Sequence, residues 1–214
     1  MKLVSVNVGL PRKIAYQGYA VSTGIYKEPV DHRVMVRAEN VDGDRQGDLT
    51  VHGGVDKAVY AYPLEHYAYW QKELGGGGFP YGQFGENLTV AQMAEDEVHI
   101  GDVFGIGGAE LEVSQPREPC YKLWMKMDLP EFPRMFLASG RVGFYFRVRR
   151  EGEIGAGDAI VRIKADTAQI SIADLWRLRY VDKDNLELTQ KAVDLPALSP
   201  SWRKPLARRL GSGS

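Results

Sequence analysis

A chain of 214 residues, 44% hydrophobic and 26% charged with a formal net charge of -1, suits one ordinary soluble domain with a sizeable core and a small appendage. That near-zero balance gives no sequence-wide basic field, which argues against a nucleic-acid partner. No apolar stretch approaches the roughly 18 residues of a membrane span, and one cysteine without a secretion signal points to a reducing cytoplasm.

The opening "MKLVSVNVGLPRK" alternates and breaks at Gly-Leu-Pro, so it reads as a first strand. "HRVMVRAE" alternates in the same way, and "AVYAYP" is another short strand-like run. "PLEHYAYWQKELG" predicts a helix with Pro63 in its first turn and a stop at Gly75. The glycine-rich "GGGGFPYGQFG" reads as a loop of the kind that lies over sites. "DVFGIGGAELEV" predicts a hairpin from Val103 to Ile106 and Ala109 to Val113, with Gly107 and Gly108 as its turn. "RVGFYFRVRR" and "AIVRIKA" read as a second strand pair around "EGEIGAGD". Many short strands favour a mainly β fold, a barrel or a sandwich.

From about Thr167 the pattern turns helical. "SIADLWRLRYV" opens with a Ser171-x-x-Asp174 capping pattern, and "DNLELTQKAV" is a second short helix. "SPSWRKPLARRL" is a third, with Ser199 as cap and Pro205 as an interruption. The expected division is a β domain over 1–165, a three-helix extension over 166–210 and a disordered tail over 211–214.

Three polar clusters carry candidate chemistry. In "VDGDRQGDLTVHGGVDKAVYAY", Asp and Gly serve turns at Asp42-Gly43, but His52-Gly53-Gly54 is better suited to a ligand, because paired glycines let backbone N–H groups approach it closely. "GQFGENLTV" places Glu86 and Asn87 at a strand entry, where a polar-tipped turn is an equally good reading. "SQPREPCYKL" holds Cys120, which cannot form an internal disulfide. It is a buried filler, a nucleophile or a ligand. Pro116 and Pro119 stiffen its loop, Arg117 and Lys122 favour the thiolate, and Glu118 opposes it. Zinc and iron–sulfur spacings, a phosphate-binding loop and a dinucleotide fingerprint are all missing from the sequence.

With "STGIYKEPV", "GDRQGDLTVHGGVDKAVYAYP", "HYAYW", "FGENLT", "IGDVF" and "VSQPREPCYKL" in that order, the chain resembles MOSC proteins, the molybdenum-cofactor sulfurase C-terminal domain family, in their YiiM-like branch with a three-helix extension. The resemblance implies a β-barrel-like fold and a pocket for the molybdenum cofactor, Mo-molybdopterin. It places the family's metal-binding cysteine on Cys120 and its His-Gly-Gly motif on His52, Gly53 and Gly54, followed by Lys57. Lys27, Asn87, Arg117 and Lys122 join these as expected cofactor-binding positions, and His52, Lys57 and Glu86 as proton donors.

The activity this implies is reduction of N-hydroxylated small molecules, such as hydroxylamino-purine base analogues, to amines. Electrons would come from a separate donor protein, with Arg203, Lys204, Arg208 and Arg209 as one docking edge; a solvated face is the stronger reading of that edge. Two other readings stand beside it: a cofactor or sulfur carrier, and an acyl transferase or hydrolase with Cys120 as nucleophile and His52 as base. Exposed strand edges and a helical extension are compatible with a homodimer.

Overall fold

The computed structural model describes residues 1–47 and 53–211. Its elements run β1 (Lys2–Val8), β2 (Arg12–Tyr16), β3 (Tyr19–Thr23), β4 (Glu28–Val30), β5 (Val34–Val36), β6 (Val59–Pro63), α1 (Glu65–Leu74), β7 (Leu88–Ala91), β8 (Val103–Ile106), β9 (Ala109–Pro116), α2 (Tyr121–Met127), α3 (Phe132–Ala138), β10 (Phe144–Arg150), β11 (Gly152–Ile154), β12 (Ile160–Lys164), α4 (Ile172–Tyr180), α5 (Leu186–Asp194) and α6 (Pro200–Gly211). A short 3-10 turn at Val55–Lys57 precedes β6.

Eight strands form one sheet in the order β12-β8-β9-β10-β6-β7-β1-β4. Every pairing in it is antiparallel except β6 with β7. The sheet curls until its ends approach: Lys2 bridges Ala159, the Leu3 amide donates to Asp158 O at 2.9 Å and the Ile160 amide to Met1 O at 3.2 Å. Such curling hides edge amides and gives the barrel-like form expected.

Strand alternation decides what each face does. On β10, Phe144 and Phe146 enter the barrel core, while Tyr145 and Arg147 point the other way. On β6, Val59 and Ala61 face the core, while Tyr60 and Tyr62 enter a second, aromatic cluster with Tyr67, Trp70, Phe84, Phe132 and Phe136. Trp70 and Phe136 stack there at 5.8 Å, and the Trp70 indole donates to Tyr62 Oη at 2.7 Å, which satisfies its buried N–H. This cluster holds α1 and α3 against the sheet.

Ile172, Leu175, Leu178, Trp202 and Leu206 of the C-terminal helices belong to the same apolar core as the barrel strands. Helices of this length need such burial to form. Ser171 caps α4 with the full reciprocal box to Asp174, and α6 continues through Pro205.

Several local readings change. The hairpin falls where expected, with β9 longer by three residues. Pro63 ends β6 instead of opening α1, because its strand pairs with Val90 of β7. The strands of "RVGFYFRVRR" and "AIVRIKA" do not pair with each other. β9 and β6 already occupy both edges of β10, so β12 turns to β8. The hairpin β2–β3 was missed, although Gln17 and Gly18 at φ 49° and 83° make the two-residue turn that twisted hairpins prefer. Helices α2 and α3 were also missed.

Candidate functional site

A cleft of about 660 Å³, measured to its open mouth, lies where the outer faces of β6 and β10 meet the loop between β9 and α2. That is within the usual range for small-molecule sites. Of the expected residues, Lys27, Gly53, Lys57, Asn87, Arg117, Cys120 and Lys122 all line it. Thr23, Gly24, Ile25, the 44–47 segment, Gly85 and Glu118 complete the walls with Tyr60 and Tyr145. His52 lies outside the described residues. Among the described residues no histidine lines the cleft, and no three His, Cys, Asp or Glu side chains gather as a metal-binding group.

Cys120 is half-buried at the residue before α2, with extended backbone at φ -115° and ψ 170°. Its carbonyl accepts the Leu123 amide at 3.0 Å, so the loop is fastened to the start of the helix. Lys122 follows in the first turn of α2 and is buried.

Arg117 is only 6% exposed. Its guanidinium lies over Tyr60 and Phe136 at 5.1 and 5.2 Å from the ring centres. Its Nη1 is enclosed and has no hydrogen-bond acceptor among the described residues. An enclosed donor left unmade costs on the order of 1–3 kcal/mol, and an anion in the cleft would remove that penalty. The lining as a whole holds five cationic side chains against two carboxylates, which favours an anionic ligand.

Lys27 and Asp44 form a buried ion pair at one wall. Burial pulls the Lys27 amine below its ordinary value, and Asp44 opposes that pull. Asp44 also accepts the Gly9 amide at 3.0 Å and Asn87 Nδ2 at 2.9 Å. Asn87 Oδ1 takes the Tyr60 amide at 3.1 Å. Asn87 therefore reaches the cleft, but its amide already serves the wall by joining β6 to the Asp44 loop.

Glu86 is placed differently from expectation. It is fully buried behind the wall and does not line the cleft. Its carboxylate accepts the amides of Gly82 at 2.9 Å and Phe84 at 3.0 Å, the Thr89 hydroxyl at 3.0 Å and the Tyr67 hydroxyl. Burial raises its pKa, and these donors pull the other way. Four donors on one carboxylate hold the 82–87 turn in place, so Glu86 is a structural strut and not a proton donor to the cleft. Gly54 also stays off the lining. Its φ of 80° beside 112° at Gly53 shapes the turn that carries Lys57.

The next residue back, Asp56, is clamped by Arg147, whose Nε reaches it at 2.8 Å and whose Nη1 reaches Glu112 at 2.6 Å. Tyr60 and Tyr145, 5.2 Å apart, were missed as site residues. Their only signal was the strand alternation that sends them away from the core.

Residues 48–161 match the MOSC domain family, and residues 170–213 match the YiiM-like three-helix domain. The chain belongs to the MOSC domain family. It is 41% identical over 207 residues to the uncharacterized protein YflK of Bacillus subtilis, covering 97% of this chain and 93% of that one. The crystal structure of YiiM from Geobacillus stearothermophilus superposes with a TM-score of 0.83 at 39% identity, covering 98% of each chain. A protein named reductase from Gibberella moniliformis is 32% identical over 197 residues, 91% of this chain but only 35% of its own length. The MOSC match includes β6 to β10, Lys57 and the cysteine loop, while Lys27 and Asp44 lie ahead of it. No described helix is long and apolar enough to cross a membrane.

The four basic residues proposed as a docking edge divide. Arg203 Nη2 donates to the carbonyls of Leu195, Pro196 and Leu198, and Arg209 to those of Leu178 and Arg179. Those two close the ends of the extension's own chain segments. Lys204 and Arg208 are exposed.

Proposed function

We propose that the cleft binds the molybdenum cofactor and that the protein reduces N-hydroxylated small molecules to amines, taking electrons from a separate donor protein. One observation carries the reading: the single cysteine shares a cleft with an enclosed arginine whose Nη1 has no acceptor among the described residues. A lone thiolate is an incomplete metal site on its own but a sufficient one for a metal that arrives with its own dithiolene ligands. The donor set fits that group. Cys120 Sγ would hold the metal, and Arg117, Lys122 and the Gly53 backbone would meet the pterin phosphate. The fungal relative named reductase supports the same class of chemistry.

The overall reaction is R–NHOH + 2 e⁻ + 2 H⁺ → R–NH2 + H2O. When bound, the cofactor supplies a two-electron centre able to take oxygen from an N–O bond. The protein's own part is to bind, orient and move protons. Lys57, which lines the cleft on the turn clamped through Asp56, would hold a proton for the departing oxygen. Tyr145, half-buried in the cleft wall, would offer aromatic surface to an aromatic substrate.

The test is molybdenum and released pterin per chain from a cofactor-replete host, wild type beside Cys120→Ser. Near-stoichiometric metal in the wild type and almost none in the variant, with the fold unchanged, is expected. Turnover of an N-hydroxy base with an artificial reductant then separates an enzyme from a carrier. Equal metal in both proteins would remove Cys120 as ligand.

A further inference from the structure

The cysteine loop is held from outside the MOSC match. Glu118, two residues before Cys120, lines the cleft; its Oε1 accepts the Tyr180 hydroxyl at 2.6 Å and forms an ion pair with Arg179 Nη2 at 2.8 Å. Both donors stand at the C-terminal end of α4, in the helical extension.

Neither donor is a loose surface arm. The Arg179 guanidinium lies 4.8 Å over the ring of fully buried Trp202, and its Nη1 is enclosed. Tyr180 meets the same indole edge-on at 6.5 Å. Arg209 of α6 closes this end of α4 through Leu178 O and Arg179 O, and the Trp176 indole ties the helix to Leu137 O at 3.0 Å.

Three further ties reach the segments that support the cleft. The Ser199 amide donates to Ser114 O at 3.2 Å and Ser201 Oγ to Gln115 Oε1 at 2.9 Å, on the strand end that feeds the cysteine loop. Arg147, the clamp on Asp56, also reaches Ala197 O at 3.3 Å. The extension thus touches the supports of both Cys120 and Lys57.

We propose that Arg179 and Tyr180 are positioning residues for the cysteine loop, acting through Glu118, and that the helical extension is a working brace of the cleft. The consequence for cofactor retention rests on the function proposed above, whereas the positioning itself does not. Pairs this exposed are individually weak, but a neutral hydroxyl donor and an ion pair on the same carboxylate oxygen fix a direction as well as a charge.

The experiment is hydrogen exchange of the Arg117 and Leu123 amides, bonded to Gly143 O and Cys120 O at the two ends of the loop, in the full chain, for wild type, Tyr180→Phe, Arg179→Gln and Arg179→Lys, with molybdenum and pterin per chain measured on the same samples. Losing the hydroxyl bond or the ion pair to this carboxylate should speed local opening roughly three- to ten-fold. The expected result is that faster exchange in the loop for Tyr180→Phe and Arg179→Gln, a partial return in Arg179→Lys, unchanged exchange in β10, and cofactor loss in the same order. Loop exchange equal to wild type, or acceleration spread evenly over the chain, overturns the brace. A loosened loop with full cofactor retention overturns its functional half. A wild type that takes up no cofactor counts against the proposed function, while the exchange comparison still decides the brace.

Discussion

Replacing Arg117 by Met separates a ligand-binding residue from a structural plug. Without ligand, the variant removes an enclosed donor that has no acceptor among the described residues, relieving on the order of 1–3 kcal/mol. It also loses cation–π contact with Tyr60 and Phe136, about 0.5–2 kcal/mol each for a desolvated guanidinium. The backbone bond from the Arg117 amide to Gly143 O, 3.1 Å, survives. These contributions nearly cancel, so Tm of the cofactor-free protein should move by no more than about 4 °C. Under the proposed function, the variant should lose charge-assisted bonds to the cofactor worth about 1.5–3 kcal/mol, which is roughly a 10- to 150-fold weaker cofactor affinity. Differential scanning fluorimetry reads the first quantity and quenching of protein fluorescence by added molybdopterin the second. Arg117→Lys keeps the charge but not the planar fork, so its affinity should fall between. A Tm drop beyond about 8 °C with unchanged affinity would refute the reasoning and make Arg117 part of the wall.

Glu86→Gln puts an amide where four donors converge, so one donor must lose its acceptor; a Tm loss of roughly 3–10 °C is expected, with cofactor affinity per folded chain unchanged. Lys126 donates to Ile25 O at 3.0 Å and Gly82 O at 2.5 Å, and burial lowers its pKa to about 8 from an ordinary 10.5. Between those two values the unfolded chain binds the extra proton, so the burial penalty, full below pH 8, lifts as pH rises towards 10.5. Thermal melts of wild type against Lys126→Met should therefore shift in favour of wild type across that window, and parallel curves would deny it. Ser171→Ala removes one half of the α4 capping box, which should cost about 1 kcal/mol and roughly 2–4 °C in Tm; no change would mean that the buried face of α4 alone sets its start.

Much of this molecule is legible in short stretches. The turn at Gly107-Gly108 and the Ser171 cap act within a few residues, so their sequence readings land on the observed elements. The ordered motifs bring Lys27, Lys57, Arg117, Cys120 and Lys122 into one list, and the cleft brings them into one wall. Glu86 misleads because a buried carboxylate strut and a proton donor have the same letter code, and only the direction of the side chain distinguishes them.

What the sequence determined by itself is local: strand alternation, turn chemistry, helix caps and the presence of one thiol among cationic residues. Tertiary structure decided which strands pair, which face of β10 becomes a cleft wall, and that Glu118 meets Arg179 and Tyr180, the latter 62 residues further on. The physical reason is range. Backbone propensities and caps are settled by neighbours along the chain, whereas pairing and burial depend on which distant surfaces exclude water together. No local pattern encodes that choice.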